Sequence, residues 1–501
     1  MRSSEPRLRP TMAAVALLAS VAAAAGIGVP ATYGAHVAVD EPQYLLTAES
    51  LGSDGDLNIA DELDAEEWRT YHRTDLPEQT RALERGRRVS PHDPVLPLLL
   101  SPGVRLAGWV GAKLALAGLA GLLAALTLAT AVRRCGARVG PAALVVAVFS
   151  GSAPLAVYGQ QVYPELPAAL AVVVAVAALL PPGERLDGRV AERRTGGRDT
   201  PISTGAVILA GAMIVVLPWL AVKYVPIAGV LAAAALLRLW WGGRRAAAAG
   251  LAGGLLAAGL FYLAAHQALY GGWTVYAAGD HFVRRGELSA VGFAPDYLGR
   301  ARRLVGLLVD RDFGLAAWQP AWLLAVPALA ALGRSALGGG AAKAEPQARF
   351  RARLLVGLVA AGWLTATFVA LTMHGWWFPG RQVVVILPCG VLAVAVWAGS
   401  ARRLGLTAAL GLIGVGTYAW LLVRGYVGAL TWVVGSPEHA GPWRTLWSVL
   451  APDGRSVALR DQALGVVWLL ALMLVGWWGA RAAGTETATH RTRSRRSGSA
   501  R

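Results

Sequence analysis

The sequence has too few cysteines for a disulfide framework or a cysteine-rich zinc site. Its two cysteines, Cys135 and Cys389, lie in or beside apolar stretches, and neither belongs to a CxxC or a Cys/His cluster. Both kinds of site need several such ligands at short spacing. Neither is therefore indicated, and cysteine usage leaves the redox compartment open.

Charged residues are also scarce, and acidic ones are scarcer than basic ones. Only 15% of the residues are charged and 55% are hydrophobic, with a mean hydropathy of +0.48. This composition indicates a chain that is solvated mostly by lipid. In a soluble protein the net charge of +17 would suggest nucleic-acid binding. Here the arginines fall in short loops between apolar runs, which favours the positive-inside pattern of membrane proteins and no nucleic-acid partner.

The sequence shows no internal repeat of fixed period, which argues against an inverted-repeat transporter. It does contain apolar runs of about 17 to 25 residues, long enough to cross a hydrocarbon core of roughly 30 Å. We predict about twelve spans, at residues 12–30, 104–131, 140–157, 164–181, 203–221, 224–240, 246–268, 313–333, 354–373, 382–399, 404–424 and 462–480. The first run resembles a signal peptide, but its length and the spans that follow favour an uncleaved signal anchor. The expected fold class is all-α and polytopic.

A cytoplasmic N-terminus places every arginine-rich loop on one side of the membrane. We therefore expect a multi-pass protein with both termini cytoplasmic. Its high alanine, glycine and arginine content suggests a GC-rich bacterial genome, and hence a bacterial plasma membrane. The predicted organisation is a membrane domain over 1–480, which includes a long external loop at 31–103, and a basic disordered tail over 481–501.

The unusual polar residues are predicted to lie on the external side. The loop at 31–103 is strongly acidic, and seven of the eight histidines lie in or beside outward loops: His36, His72, His92, His266, His281, His374 and His439. Ionisable groups at membrane depth are costly and are usually functional. We infer that the working face is external.

The first external loop opens with an adjacent acidic pair, Asp40 and Glu41, followed by Pro42. Residues 42–51 have the pattern of a short amphipathic helix lying in the interface, with Asp40 at its N-terminal end. A carboxylate held there could act as a general base. It could equally be an acidic N-cap stabilised by the helix dipole.

Further candidate residues lie near the predicted outer ends of spans. His92 lies in a proline-punctuated apolar run before a span, and Tyr163 and Glu165 lie at the outer end of the fourth span. Lys223 occupies a turn between two spans, where it could snorkel to the surface or bind a phosphate together with His374 and Arg381. Outward arginines near two acidic segments add four more candidates: Asp280, His281, Asp310 and Asp312.

Five segments together resemble the GT-C superfamily of polyprenyl-phosphate-sugar-dependent glycosyltransferases. They run in order through most of the chain: DEPxYLLxAxSLxxDGDL from Asp40, HDPxLPLLLSP from His92, YPELPAAL from Tyr163, LPWLAVKYVP at 217–226 and DRDFGLAAWQP from Asp310. The likeness is strongest to bacterial relatives of protein O-mannosyltransferases and of the lipid A aminoarabinose transferase. Each motif is short, so the specificity comes from their order and common external side.

The resemblance implies transfer of a sugar from a polyprenyl phosphate to an extracytoplasmic acceptor, with inversion. Asp40 would deprotonate or orient the acceptor hydroxyl, and Glu41 would complete the acidic pair. Lys223, His374 and Arg381 would stabilise the departing lipid phosphate. The resemblance implies no certain cofactor, although some members of the superfamily use a divalent metal. The implied partners are the lipid-linked donor, membrane lipid and an acceptor that is a lipid, a glycan or a protein.

Two departures and two other function classes bear on this interpretation. His92-Asp93-Pro94-Val95 stands where an HxPGxP-like pattern is expected, and the loop at 425–461 is short for a large recognition domain. The first alternative function is a secondary transporter or lipid flippase, which predicts broken helices and charges at the bilayer midplane. The second is a catalytically silent scaffold of the cell envelope, which predicts that Asp40 is dispensable.

Overall fold

The computed structural model describes residues 5–77, 79–183, 202–279, 295–338, 346–433, 447–452 and 458–498. Across these ranges the chain is predominantly helical, and its β-structure is confined to isolated bridges. The predicted all-α class is confirmed.

The described ranges contain eighteen α-helices, numbered in chain order. They are α1 Glu5–Ala24, α2 Glu41–Ser53, α3 Ala60–Asp64, α4 Val95–Arg133, α5 Val139–Ser150, α6 Leu155–Tyr158, α7 Glu165–Leu179, α8 Thr204–Leu220, α9 Val225–Trp241, α10 Arg245–Tyr270, α11 Tyr297–Ala301, α12 Arg303–Val309, α13 Leu315–Trp318, α14 Ala325–Ala336, α15 Pro346–Leu364, α16 Leu387–Trp397, α17 Ala401–Tyr426 and α18 Leu459–Gly498.

The apolar helices coincide with the predicted spans. Within the described ranges, seven helical segments are long and apolar enough to cross a membrane, and five shorter apolar segments have 10–17 residues. Each of the twelve predicted spans overlaps one of these segments. The shorter ones rise 1.5 Å per residue and so fall short of a core of roughly 30 Å. The positions of the apolar helices are thus as predicted, while the number of crossings stays a prediction.

Helix α2 lies inside the protein rather than at an interface. It begins at Glu41, one residue before the predicted start, and packs against α4. Its residues from Glu41 to Ala48 are buried on all sides. The predicted interfacial position is wrong because α4 and the loops around α2 cover its polar side as well.

The last helix, α18, extends to Gly498 and so enters the segment 481–501, for which the disordered tail stays a prediction. Residues 499–501 lie outside the described part of the chain.

Breaks between helices bring the ends of several segments together. Pro218 in the last turn of α8 and Pro226 at the start of α9 interrupt the helical run. The intervening residues Val222–Tyr224 form one 3-10 turn that carries Lys223. A second 3-10 turn, Arg381–Ile386, leads into α16 and packs against α7. These two turns meet the N-terminal end of α7, where Lys223 and Arg381 both bond Glu165.

Candidate functional site

Four charged side chains from separate elements form a central ion cluster, defined here as Asp40, Glu165, Lys223 and Arg381. Arg381 Nη2 lies 2.7 Å from Asp40 Oδ2, and Arg381 Nε lies 3.0 Å from Glu165 Oε1. Lys223 Nζ donates to the same Glu165 oxygen at 2.7 Å. Two acids and two bases thus balance in charge. All four were candidate residues from the sequence, and the structure brings them together.

Asp40 is placed by a strained backbone at the start of α2. The preceding residue, Val39, has φ 54, a left-handed conformation that is rare for a β-branched residue. Gln79 Nε2 donates to the Val39 carbonyl at 2.9 Å and holds this conformation. Asp40 occupies the N-cap position, yet its side chain makes no capping hydrogen bond. Its carboxylate accepts a hydrogen bond from Arg381 instead.

Glu41, the neighbour of Asp40, fastens two loops through its carboxylate. Its Oε1 accepts from the Ala38 backbone N–H at 3.1 Å, and its Oε2 accepts from the Val162 N–H at 2.7 Å. The residue is fully buried, and burial raises the pKa of its carboxyl. The contacts of Glu41 position the backbone on both sides of the ion cluster.

Arg381 is oriented by its backbone and by two aromatic rings. Gly380 has φ +89, a conformation that favours glycine and turns the chain into the 3-10 segment. The guanidinium carbon lies 3.9 Å from the centre of the Tyr163 ring and 5.0 Å from that of Trp377. Tyr163 in turn donates its hydroxyl to the Ala38 carbonyl at 3.1 Å. Tyr163, a candidate from the sequence, therefore contacts the cluster through its ring face.

His92 lies on the open side of Asp40. Its Nε2 is 3.8 Å from Asp40 Oδ1, and its ring centre is 4.5 Å from that of Tyr44. Nδ1 of His92 is 2.9 Å from the Ser90 hydroxyl, which fixes the ring. The two Asp40 oxygens thus face different groups, with Oδ2 on Arg381 and Oδ1 toward His92.

The side chains of the ion cluster differ in their solvent exposure. Glu165 is buried, whereas the side chains of Asp40 and Lys223 are 23% and 26% exposed. Burial alone would raise the pKa of Asp40, but the Arg381 guanidinium and His92 outweigh it and hold that pKa well below its ordinary value. Asp40 is therefore an ionised carboxylate that a ligand can reach.

His374, Asp310 and Asp312 form a second group of candidate residues. His374 Nε2 is 3.8 Å from Asp310 Oδ2, and its ring stacks near Phe313. Asp310 Oδ1 accepts the backbone N–H groups of Asp312 and Phe313, and the Asp312 carbonyl accepts from the Trp318 indole. His374 was predicted beside Arg381 on its sequence position, but the contacts described for it are with Asp310 and Phe313. Asp280 and His281 lie outside the described residues.

A cavity of about 900 Å³ borders this second group. Its lining mixes apolar side chains such as Leu298 and Leu469 with arginines and with Asp310 and His374. The loop that carries His374 continues to Trp377, which lies over Arg381. One short segment therefore joins the cavity to the central ion cluster.

Two buried polar groups were not among the candidate residues from the sequence. His266 Nε2 lies 3.0 Å from Asp93 Oδ1, and both side chains are buried. Lys113 donates to the His36 carbonyl at 2.7 Å and to Gln160 at 3.0 Å. A sequence signal existed for the second group, because Lys113 is the single charged residue between Arg105 and Arg133 in an apolar run.

Comparison with solved structures finds two similar proteins of low identity. One is ArnT from Cupriavidus metallidurans bound to undecaprenyl phosphate, with 16% identity and a TM-score of 0.45 over 94% of this chain and 72% of that one. The other is the oligosaccharyltransferase AglB from Archaeoglobus fulgidus in complex with an inhibitory peptide and a dolichol-phosphate, with 12% identity and a TM-score of 0.36 over 95% of this chain and 56% of that one. No protein-family model matches the sequence, and no curated protein does.

Proposed function

We propose that this chain is a membrane glycosyltransferase that moves a sugar from a polyprenyl-phosphate donor to an extracytoplasmic acceptor, with inversion at the sugar carbon. The observation that carries the proposal is the partly exposed Asp40 carboxylate, which is paired with Arg381 and joined through Glu165 to Lys223. A base and two phosphate-binding cations are thereby set within one connected group. Inversion follows from a single displacement, in which the acceptor attacks opposite the leaving phosphate.

Asp40 acts on the acceptor hydroxyl. Because Arg381 and His92 lower its pKa, it is ionised at physiological pH and can accept a hydrogen bond. A weakly basic carboxylate does not deprotonate the hydroxyl in the ground state. It orients the oxygen and takes the proton as the new bond to the sugar carbon forms.

Lys223 and Arg381 act on the donor phosphate. The Lys223 ammonium has three donors, of which one bonds Glu165, and its side chain is 26% exposed. Arg381 is 8% exposed and already bridges two carboxylates. Lys223 therefore makes the direct contact, while Arg381 contributes charge as the bond between the sugar carbon and the phosphate oxygen breaks. The electron pair leaves with the phosphate, which needs no strong acid.

The second group has a separate role in this proposal. His374 and Asp310 border the cavity, whose apolar and basic lining suits an amphiphilic molecule with an anionic headgroup. His374 would contact the lipid phosphate from that side. Glu41 serves as a positioning residue, since both of its oxygens are engaged by backbone N–H groups.

The deciding experiment measures sugar transfer in membranes that contain wild type, Asp40→Asn or Asp64→Asn at matched expression. A panel of radiolabelled polyprenyl-phosphate sugars is supplied, and labelled acceptor and released polyprenyl phosphate are counted. We expect wild type to transfer the sugar of one donor in the panel. Asp64→Asn, the control in an exposed part of the loop, should transfer it at the same rate, and the transfer rate of Asp40→Asn should fall about 10²- to 10⁴-fold. Undiminished transfer by Asp40→Asn would overturn the role of Asp40.

A transporter or flippase is the second candidate because Lys113 is a buried charge inside the long apolar helix α4. Its described hydrogen bonds, however, reach Gln160 and the backbone of His36 in the external loop. They tie the loop to the helix, which favours the transferase. Silence of the whole sugar panel, with lipid movement across reconstituted vesicles, would favour the transporter.

A further inference from the structure

Three carboxylates of the external loop converge beyond the C-terminal end of α2, at the opposite end of this helix from Asp40. Asp54, Asp61 and Glu62 each offer an oxygen, and these oxygens lie within 4.8 Å of one another. Asp54 follows the C-terminus of α2, and the other two lie in the first turn of α3. Two oxygens bound to one Ca²⁺ at 2.3–2.6 Å can be up to about 5 Å apart. The spacing is therefore that of a cation ligand set.

Glu62 supplies an independent sign of a missing partner. The residue is 3% exposed, and its Oε2 atom has no hydrogen-bond partner among the described residues. Burying a polar oxygen without a partner costs free energy, and more so when the group is charged. A cation beside this oxygen would offset that cost.

The side-chain neighbour of the Glu62 carboxyl is Asp61, a second carboxylate of the trio, which brings no positive charge. Within the described ranges no salt bridge reaches any of the three. The polar contact given for Asp54 is a weak one, from the Ser53 hydroxyl at 3.3 Å. The nearby Asp56 differs, because its Oδ1 already accepts from Asn58 N at 2.7 Å and from Ser50 Oγ at 3.1 Å.

We propose that Asp54, Asp61 and Glu62 bind one calcium ion. The ligands are all carboxylate oxygens, which favour hard cations over zinc or copper. Two of the three residues are exposed, so water can complete a flexible coordination shell of the kind that Ca²⁺ accepts and Mg²⁺ does not. The ion would link the end of α2 to the start of α3. Since α2 carries Asp40 at its other end, the ion would stabilise the helix that presents this carboxylate, whatever reaction the protein catalyses.

The test uses the purified full-length protein in detergent, stripped of metal with a chelator and then dialysed. Bound ⁴⁵Ca²⁺ is counted and the thermal unfolding midpoint is followed as CaCl₂ is raised to about 10 mM, a range that covers the 10⁻⁴–10⁻³ M affinities of extracellular calcium modules. We expect one saturable ion per chain and a rise in the midpoint. Glu62→Gln and the exposed Asp61→Asn should each weaken binding at least about tenfold.

Asp64→Asn is the matched control, because Asp64 is an exposed carboxylate of the same short helix outside the trio. It should bind calcium as the wild type does. Absence of saturable binding by wild type would overturn the proposal, as would equal loss in Asp64→Asn. Asp61→Asn keeps the test valid if Glu62→Gln does not fold. Preference for MgCl₂ over CaCl₂ in the same titration would overturn the assignment to calcium.

Discussion

The two ends of α2 hold acidic residues in opposite electrostatic surroundings. At its N-terminal end, Asp40 is paired with Arg381, and its pKa is held below the ordinary value. At its C-terminal end, burial raises the pKa of Glu49 to about 8, and the charges of Glu67 and Glu62 add to the rise. Burial pushes both carboxyls toward the neutral form, so the guanidinium decides the difference. Asp40 and Glu49 are nine positions apart along one helix, yet the first carboxyl stays charged and the second is kept protonated by burial in the folded protein.

Removal of the Arg381 guanidinium should have the largest effect, because it abolishes the difference between the two ends of α2. In Arg381→Met, Asp40 and Glu165 lose their shared cation, while Glu165 stays buried and Asp40 stays largely buried. We expect sugar transfer to fall below detection, and the free energy of unfolding to drop by about 3 to 5 kcal/mol, as when a buried pair loses one partner. Activity and chemical unfolding of the purified protein are the measurements.

Arg402→Met is the control for this change, since Arg402 is exposed at the start of α17. It should alter neither quantity measurably. Transfer at wild-type rate by Arg381→Met would contradict the role given to the ion cluster.

Within the N-terminal end of α2, Glu41→Gln separates positioning from chemistry. Glutamine keeps one acceptor oxygen, so one of the hydrogen bonds from Ala38 and Val162 is lost. We expect about 1 to 3 kcal/mol of lost stability and a decrease in transfer of less than about tenfold. Asp40→Asn should show the reverse, with transfer lost far out of proportion to the change in stability. A larger loss of transfer in Glu41→Gln than in Asp40→Asn would exchange the two roles.

The C-terminal end of α2 gives the smallest effect, and it depends on pH. Because the pKa of Glu49 in the folded protein is raised to about 8, its proton stabilises the fold fully below the ordinary value near 4.5. That contribution is lost as the pH rises through about 8. In chelator, Glu49→Gln should match wild type at about pH 5 and exceed its stability by about 1 to 3 kcal/mol at about pH 9.

Thermal unfolding at the two pH values measures this effect. Glu84→Gln, an exposed carboxylate of the same external loop, is the control and should follow wild type at both. A stability difference for Glu49→Gln that does not change with pH would contradict the raised pKa.

Much of the site was predictable because its residues have local signals. Asp40, Glu165, Lys223 and Arg381 are charges at the ends of apolar runs, where the cost of burial makes an ionisable group conspicuous. The helical class and the positions of the apolar helices follow from run length and composition in the same way.

The pairing of these residues was not predictable, since it depends on long-range packing. Asp40 and Arg381 are 341 positions apart in sequence, and no periodicity connects them. His374 lies seven residues from Arg381, yet the chain between them turns, so that His374 contacts Asp310. Glu41 looked like half of a catalytic pair because it adjoins Asp40, but successive residues of a helix face about 100° apart, so the two carboxyls point to different partners.

The aromatic rings beside Arg381 restrict the orientation of its guanidinium. Tyr163 and Trp377 lie close to the guanidinium, and two carboxylates occupy its donors. A cation held in this way has few alternative orientations, so its alignment is completed when the protein folds. In the proposed transferase the guanidinium would need no realignment between turnovers, so the binding energy of the lipid donor would be available to bring the sugar carbon to the acceptor.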